Sequence, residues 1–408
     1  MKERGKRSMT LTQQMVDALL KGSGTWNGEL QNFASQTYIE EYVFEGLTLP
    51  KEHSFRGYNF EKPVRFENCT FHSVDIIFGN VPWVFKDCKF SGRLDFAHSC
   101  KYVVLEDCLL IGVALSVSGP MVLDIKGRWI ELALLHLTRL KSGRVSLRGC
   151  TIKQLSYGQE MCSASIQYRD CVIEQSIQNN FRHVTFVRPV ELVNCRVQEP
   201  RLFESCTFKD ATDFTGTVFR VAPSFHQVTF HQSTRFNDVE KFDVQFPDVT
   251  SRGGAEHCYR TLKLEMTRQQ ATAEALAFGR LELRARQAAD KGWKWAIYAT
   301  YGATSDYGLS IGRQLIWLLL ITGISPIWIW AMAKGPTRFF DSDWWNISLS
   351  NALPYLGSTK ATLQTSLHYL IREDMYFAFT LASVLQSLAS SILLFLVGLG
   401  IRNRLRLK

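Results

Sequence analysis

The sequence predicts a mixed fold made of three parts: a solenoid of short repeats, a helical linker and a two-helix transmembrane hairpin. Large apolar residues recur every five or six positions through the first 250 residues, helix-favouring residues follow Gly253 and Gly254, and two long uncharged segments lie near the C-terminus. We therefore expect an N-terminal helical cap (1–40), the solenoid (41–250), a helical linker with an interfacial segment (251–300), and the hairpin with its external loop (301–408).

The repeat is a six-residue unit that begins and ends with an apolar residue and often carries Gly, Asn, Asp or Ser at its third position. Units begin eleven residues apart in two runs, at Phe44, Phe55 and Phe66 and at Phe181, Leu192, Phe203, Phe214 and Phe225. The resulting five-six alternation of apolar residues matches neither the helical nor the strand period. It is typical of a chain that turns a corner after each unit, so that two units form one coil of about 22 residues and stacked coils share a core.

These units resemble the pentapeptide-repeat proteins over roughly residues 41–245. The resemblance implies a right-handed quadrilateral β-helix. The sequence uses Phe where the simplest family pattern has Leu, and residues 110–146 and 155–180 are irregular, so we expect local bulges or side loops there. Arg128 stands where the repeat has Cys elsewhere. Either that coil turns outward at Arg128 or its register shifts.

The ten cysteines form no CxxC pair and do not alternate with histidines at ligand spacing, so we predict neither a metal site nor another cofactor. Cysteine recurs at the fourth position of the unit, as in Cys69 and Cys195, where a thiol acts as a small buried hydrophobe. The N-terminus lacks an apolar core long enough for a signal peptide. We therefore expect the solenoid in a reducing cytoplasm.

The linker alternates apolar and polar residues at helical spacing, for example at Tyr259, Leu262 and Met266. Two amphipathic helices are predicted, arranged as a hairpin that caps the solenoid. An aromatic and basic stretch follows and continues into the first spanning segment. It is typical of a membrane interface, although an ordinary packed aromatic cluster is the alternative. The interfacial residues are predicted to be Trp293, Trp295, Tyr307 and Arg313.

Two segments are long enough to span a bilayer core: residues 315–333, which contain Pro326, and residues 375–401. Pro326 is expected to kink the first helix. Basic residues precede the first segment and fill the tail after the second, so the positive-inside rule places both termini in the cytoplasm and residues 334–374 outside. The predicted location is the bacterial inner membrane, with two passes.

A polar stripe runs along one face of the second segment and is formed by Ser383, Gln386, Ser387, Ser390 and Ser391. Polar side chains that face lipid are costly, so the stripe should meet protein or water. Because a hairpin offers only one partner helix, we expect a homo-oligomer in which the stripe lines a pore. The alternative is that these side chains hydrogen-bond across packed helices.

The external loop contains ISLSNALP, residues 347–354, which is compatible with a short re-entrant helix that ends before Pro354. Such a segment must be buried in protein or line a water-filled cavity. Candidate functional residues of the loop are Asn351, Pro354, Glu373 and Asp374. Three motifs (SDYGLSIGR, SNALPYL and LLFLVGLGIRNRLRLK) resemble a group of bacterial pentapeptide-repeat membrane proteins, and this resemblance implies a channel-like membrane module.

We found no HExxH, GxxxxGK[ST] or GxSxG motif, so no enzymatic activity is predicted. The first hypothesis is an oligomeric ion-conducting pore or membrane-perturbing effector, gated or assembled through the cytoplasmic solenoid, in a setting such as stress response or phage defence. The alternative is a membrane-anchored scaffold or sensor whose solenoid recruits a cytoplasmic protein partner. A DNA-mimicking solenoid ranks last because the charges are mixed, and no nucleic-acid partner is expected. The lipid bilayer is the partner common to the first two hypotheses.

Overall fold

The computed structural model describes twelve stretches and two isolated residues of the chain. They are residues 9–10, 13–27, 41–51, 53–55, 58, 60–76, 81–96, 100–176, 181, 183–198, 202–237, 254–334, 342–353 and 371–406. Contacts within the chain divide it into two compact units, Met1–Phe278 and Gly279–Lys408. The domain limits expected from the sequence, at residues 40, 250 and 300, stay a prediction.

The first unit contains short strands that all pair in parallel. In chain order they are β1 (Met9–Thr10), β2 (Tyr42–Glu45), β3 (His53–Ser54), β4 (Val64–Glu67), β5 (Thr70–Phe71), β6 (Val74–Ile76), β7 (Pro82–Lys86), β8 (Lys89–Phe90), β9 (Arg93–Phe96), β10 (Tyr102–Glu106), β11 (Leu109–Ser118), β12 (Met121–Thr138), β13 (Gly143–Tyr157), β14 (Met161–Cys162), β15 (Ser165–Arg169), β16 (Val172–Ser176), β17 (Thr185–Phe186), β18 (Val190–Val193), β19 (Arg196–Val197), β20 (Thr207–Phe208), β21 (Thr212–Asp213) and β22 (Val218–Phe219).

Strands from successive coils stack into columns, which form the sides of a parallel solenoid. One column runs β2-β4-β7-β10-β12-β13-β15-β18-β21, and a second runs β5-β8-β11-β12-β13-β16-β19-β22. A third column begins β3-β6-β9-β11, and a shorter one, β14-β17-β20, occupies a further side. Paired residues of the first column are separated by about one coil, as in Tyr42↔Val64 and Arg144↔Ser165. The predicted solenoid is thereby confirmed.

The third residue of the unit makes the corner. Asn68, Asp87, Asp107, Asp170 and Asn194 all have φ between 51° and 54°. This left-handed conformation is unfavourable for most L-residues, and Asn, Asp and Gly tolerate it best. The preference for these residues at the third position therefore has a backbone cause, as the sequence indicated.

Phenylalanine rings from successive coils stack inside the solenoid. The Phe44 and Phe66 ring centroids lie 4.8 Å apart, Phe66 and Phe85 lie 5.4 Å apart, and Phe181 and Phe203 lie 5.4 Å apart. All five side chains are buried. Each ring fills the interior beside the ring of the next coil. The core is therefore continuous along the solenoid, and each coil packs only on its neighbours.

The irregular region contains the three longest strands, β11 to β13, instead of side loops. Register shifts occur between Ile111 and Val113 and between Lys126 and Ile130. Lys126 pairs with Arg148 and Ile130 with Cys150, so β12 contains two more residues than β13 over this step. Of the two alternatives for the coil at Arg128, the structure therefore shows a register shift.

The helices are α1 (Gln13–Lys21), α2 (Gly254–Arg268), α3 (Thr272–Ala289), α4 (Trp293–Ser305), α5 (Ile311–Ala331), α6 (Ser342–Ala352) and α7 (Tyr376–Arg406). The two linker helices predicted from the sequence are α2 and α3. The apolar face of α2, including Tyr259 and Met266, is fully buried. Phe278 of α3 meets Phe236 of the last described coil edge-on, with 5.5 Å between ring centroids, so these helices close the end of the solenoid core.

Helices α5 and α7 are the two in the described part of the chain that are long and apolar enough to cross a membrane. Most of their length is not covered by other elements: large apolar side chains such as Leu319 (72% exposed), Leu388 (58%) and Phe395 (67%) point outward. An apolar surface of this extent is unusual on a water-soluble monomer.

Candidate functional site

Pro326 lies inside α5 and leaves one backbone carbonyl of that helix available. A proline has no N–H, so the carbonyl of the residue four positions earlier, Thr322, lacks its usual helical donor. A hydroxyl group takes its place: Ser348 Oγ donates to Thr322 O at 2.6 Å, and Ser325 Oγ lies 3.2 Å from the same oxygen. The proline thereby creates an acceptor for a side chain of α6, deep in an apolar helix.

Helix α6 reaches this acceptor from the loop between the two long helices. Its first half contributes Trp344 and Ile347 to a buried cluster with Ile329, Ile371 and Phe379. Ser348, one turn after Trp344, is completely buried and hydrogen-bonds Ser325. The short helix predicted within residues 347–354 therefore exists, begins five residues earlier and ends at Ala352, before Pro354.

Gln386 of α7 joins all three helices. Its Nε2 donates to Ser325 Oγ at 3.0 Å and to the backbone carbonyl of Ser348 at 3.2 Å, while its Oε1 accepts from Asn351 Nδ2 at 3.3 Å. The side chain is buried, with 6% of the residue exposed. Both N–H groups and the amide oxygen are thus used within one chain.

The C-terminal end of α6 is capped by α7. Its last carbonyls have no helical donor, and Ser387 Oγ donates to one of them, Asn351 O, at 3.1 Å. We call this whole arrangement the polar junction. It consists of Ser325, Ser348, Asn351, Gln386, Ser387 and the carbonyl oxygen of Thr322. All of its groups are uncharged.

The other residues of the predicted polar stripe lie beside the junction. Ser390 is completely buried, whereas Ser383 and Ser391 are partly buried. The hydroxyl groups of Ser383 and Ser390 are buried and have no hydrogen-bond partner among the described residues. The expectation that the stripe finds only one partner helix within its own chain was wrong, because α6 supplies a second. Pore lining by the stripe stays a prediction.

The external-loop candidates do not all come together. Asn351 belongs to the polar junction, and Pro354 lies outside the described residues. Glu373 is almost fully exposed, with its carboxylate 3.4 Å from Lys334 Nζ, and Asp374 pairs with Arg372 at 3.0 Å. The two acidic side chains are therefore surface groups just before α7, separate from the junction.

The SDYGLSIGR motif forms a tight turn between α4 and α5. Asp306, Tyr307 and Gly308 all have positive φ, and Ser305 Oγ accepts a hydrogen bond from Gly308 N–H at 3.1 Å. Ser310 then caps α5 by accepting from the Arg313 N–H at 3.3 Å. Three consecutive residues with positive φ are sterically unfavourable for most side chains. The residue types of the motif are therefore restricted by the backbone conformation of this turn.

Three guanidinium groups surround Asp306 in this turn. Arg280 Nη1 lies 3.2 Å from Oδ2, while Arg284 Nη2 and Arg313 Nη1 lie 3.6 Å and 3.9 Å from Oδ1. The side chains of Asp306 and Arg280 are largely buried, whereas those of Arg284 and Arg313 are about half exposed. We call these four residues the arginine cluster; of the four, the sequence had predicted only Arg313 as an interfacial site residue.

The predicted interfacial residues differ in exposure. Trp293 and Trp295 project from α4 with 71% and 50% exposure. Tyr307 is buried instead: its ring packs against Tyr301, with centroids 5.8 Å apart, and its hydroxyl donates to Gln287. Trp317 of α5 donates from Nε1 to Ala303 O of α4 at 3.3 Å, which fixes α4 beside the start of α5.

The cysteines of the solenoid are free and buried. All ten are free thiols, and every one except Cys258 is buried. Burial raises the pKa of Cys100 and of Cys206 to about 12, so their reactive thiolate forms are scarce at neutral pH. Cys88 Sγ and Cys195 Sγ donate to carbonyls of the preceding coil, Phe66 O and Tyr168 O, both at 3.3 Å. They are structural groups.

Comparison with known proteins finds the repeat and no more of the chain. The profile of the family described as Pentapeptide repeats (9 copies) matches residues 192–240. No curated protein and no solved structure matches significantly. The matched stretch contains the last coils of the parallel solenoid, from β18 onward. The chain therefore holds pentapeptide repeats in a β-solenoid, followed by helices that include two of membrane-spanning length.

Proposed function

We propose that the protein is an oligomeric membrane protein of the bacterial inner membrane whose C-terminal module forms a gated ion-conducting pore. The observation that carries the proposal is the polar junction, in which a short helix is held between two long apolar helices. A simple membrane anchor has no use for such an element. A short helix that ends within the apolar region is tolerated in a membrane where it is buried in protein or lines a water-filled cavity.

The membrane location rests on the outward-facing apolar side chains of α5 and α7 and on the distribution of charge. Arg284 and Arg313 lie at or before the start of α5, and Arg402 follows the apolar part of α7. The positive-inside rule then places both termini in the cytoplasm. The solenoid would lie on the same side, where it is available to control the pore or to assemble it.

The arrangement of α6 supports a closed state. The centre of the polar stripe, Gln386 and Ser387, is occupied by Asn351 and Ser348 of the chain's own short helix. Water can enter along the stripe only after α6 withdraws. The hydrogen bonds of the polar junction would therefore act as a latch, and Ser383 and Ser390, which lack protein partners among the described residues, would be hydrated on opening.

A membrane-anchored scaffold or sensor is the second candidate. This candidate is favoured by the hydrogen bonds of Gln386, whose amide N–H groups and oxygen all find partners within one chain. The side chain therefore needs no water beside it. The solenoid also exposes Trp129 (73%) and Ile111 (58%), apolar side chains that are available to a cytoplasmic protein. In this candidate the polar junction only stabilises the anchor.

Conductance of the purified full-length protein in planar bilayers distinguishes the two candidates. Gln386→Leu removes three interhelical hydrogen bonds worth about 2 kcal/mol together, at about 0.6 kcal/mol each. A closed-to-open equilibrium should then shift about thirtyfold towards opening. Leu388→Ala, on the exposed face of the same helix, is the matched control and should behave like the wild type. If the wild-type protein and Gln386→Leu are both silent although the protein is inserted, the pore proposal fails and the scaffold is favoured.

A further inference from the structure

Among the described residues, the arginine cluster carries more positive charge than its one aspartate neutralises. Three guanidinium groups, from Arg280, Arg284 and Arg313, face the carboxylate of Asp306. The nearby carboxylate of Glu282 is engaged by Arg286 at 2.9 Å. Within the described residues, the cluster itself therefore has an excess charge of two, since three arginines face one aspartate.

Asp306 does not satisfy the hydrogen-bonding capacity of the three guanidinium groups. Only Arg280 approaches within hydrogen-bond distance, at 3.2 Å, whereas Arg284 and Arg313 remain at 3.6 Å and 3.9 Å. Arg280 Nε is buried and has no partner among the described residues. Guanidinium groups bind tetrahedral phosphate oxygens well because they present several donors in a fixed plane. The half-exposed Arg284 and Arg313 are placed to do so.

The surroundings of the cluster indicate which anion it would meet. Arg313 lies in the first turn of α5, where the helix dipole already places partial positive charge. The dipole therefore disfavours a cation at this end and favours a bound anion. Helix α4, fixed beside this end of α5 through Trp317, projects Trp293 and Trp295 outward. Exposed tryptophans are enriched at the headgroup level of a bilayer.

We propose that Arg284 and Arg313, held in place by Asp306 and Arg280, bind the phosphate of an anionic phospholipid of the cytoplasmic leaflet. The aromatic side chains of α4 would lie beside the same headgroup layer. This inference rests on the membrane location proposed above. It goes beyond that location because it assigns a defined lipid site to two residues.

The test uses full-length protein in mild detergent and native mass spectrometry after addition of phosphatidylglycerol or phosphatidylcholine with the same acyl chains. The wild type should retain phosphatidylglycerol selectively. Arg284→Gln/Arg313→Gln should weaken this retention about thirtyfold, from the loss of two basic contacts to an anionic lipid. Because both side chains are half exposed, the double variant should keep its fold, which its melting temperature without lipid verifies.

Arg372→Gln is the matched control. Arg372 is also about half exposed and paired with an aspartate, but it lies in the external loop. Its variant should retain phosphatidylglycerol like the wild type. Equal retention by the double variant, or an equal loss in the control, overturns the lipid site. So does displacement of the lipid by millimolar inorganic phosphate, which would identify a site for a free anion.

The membrane location is tested separately by extracting cell membranes with alkaline carbonate. We expect the wild-type protein to stay in the membrane pellet. If it is extracted, the membrane proposal fails and the lipid site fails with it. If it stays in the pellet but retains no phosphatidylglycerol, only the lipid site is overturned.

Discussion

The fourth residue of the repeat joins one coil to the next through its side chain. Cys69 Sγ donates to Phe44 O at 3.4 Å, and Cys171 Sγ donates to Leu147 O at 3.4 Å. Thr217 occupies the same position in its unit and donates its hydroxyl to Leu192 O. The sequence predicted burial of these thiols from their regular spacing. It could not show the bond to the preceding coil, because that depends on the exact register of two distant units.

Replacing Cys195 tests this role. Cys195→Ala should destabilise the protein by about 1 kcal/mol, because a buried side chain loses both volume and a hydrogen bond to Tyr168 O. Cys195→Thr should cost less, since Thr217 shows that a hydroxyl fits the position. Thermal unfolding of the full-length protein in detergent measures both variants. A threonine variant as unstable as the alanine variant would argue against the bond.

The position of α6 is the main feature of the helical elements that the sequence left unresolved. The hydropathy pattern marked the two helices that are long and apolar enough to cross a membrane, and ISLSNALP indicated a short helix that stops before Pro354. Periodicity did not show where the short helix would pack, so the sequence could not reveal that Gln386 bonds α6 of its own chain. Pro326 held a usable signal, because a proline inside an apolar helix frees the carbonyl of Thr322.

Pro326→Ala tests whether that free carbonyl holds α6 in place. Alanine restores an N–H at position 326, which should bond Thr322 O and displace Ser348 Oγ. Helix α5 should become more regular while the amides of α6 become less protected, by about tenfold for the loss of one buried hydrogen bond. Hydrogen–deuterium exchange of the protein in nanodiscs measures this.

Thr322→Val is the control for the proline variant. It removes the Thr322 hydroxyl, which bonds Leu318 O, but keeps the Thr322 carbonyl. Exchange in α6 should then match the wild type. If Pro326→Ala also leaves α6 unchanged, the freed carbonyl does not hold the short helix.

At the scale of the whole molecule, the chain contains a repeat array and a small helical module with a polar centre. The array was predictable because one local rule, a corner residue such as Asn68 or Asp87 followed by a buried residue, repeats along the chain. This rule breaks at residues 126–130, and Arg128 marked the break in the sequence. Only the structure shows that β12 contains the extra residues through a register shift. The helical module has no such repetition, so its contacts depend on single residues.

Both termini should be cytoplasmic and the loop that contains α6 should begin outside, because basic residues flank the two spanning helices on one side. Reporter enzymes that are active only in the periplasm should be silent when fused at residue 408 and active when fused at residue 340. The opposite pattern would show that the module has the inverted orientation. The arginine cluster would then not lie at the cytoplasmic leaflet, as proposed above.

A disulfide between α5 and α6 tests the proposed gate most directly. Ser325 and Ser348 hydrogen-bond each other, and no native cysteine follows Cys258, so Ser325→Cys/Ser348→Cys introduces the only thiols of the helical module. Bilayer conductance of the purified double variant is measured before and after reduction. We expect a silent protein when oxidised and ion conduction after reduction, with either single variant unaffected by the reductant. Full conductance while the disulfide is intact would contradict the proposal that withdrawal of α6 opens the pore.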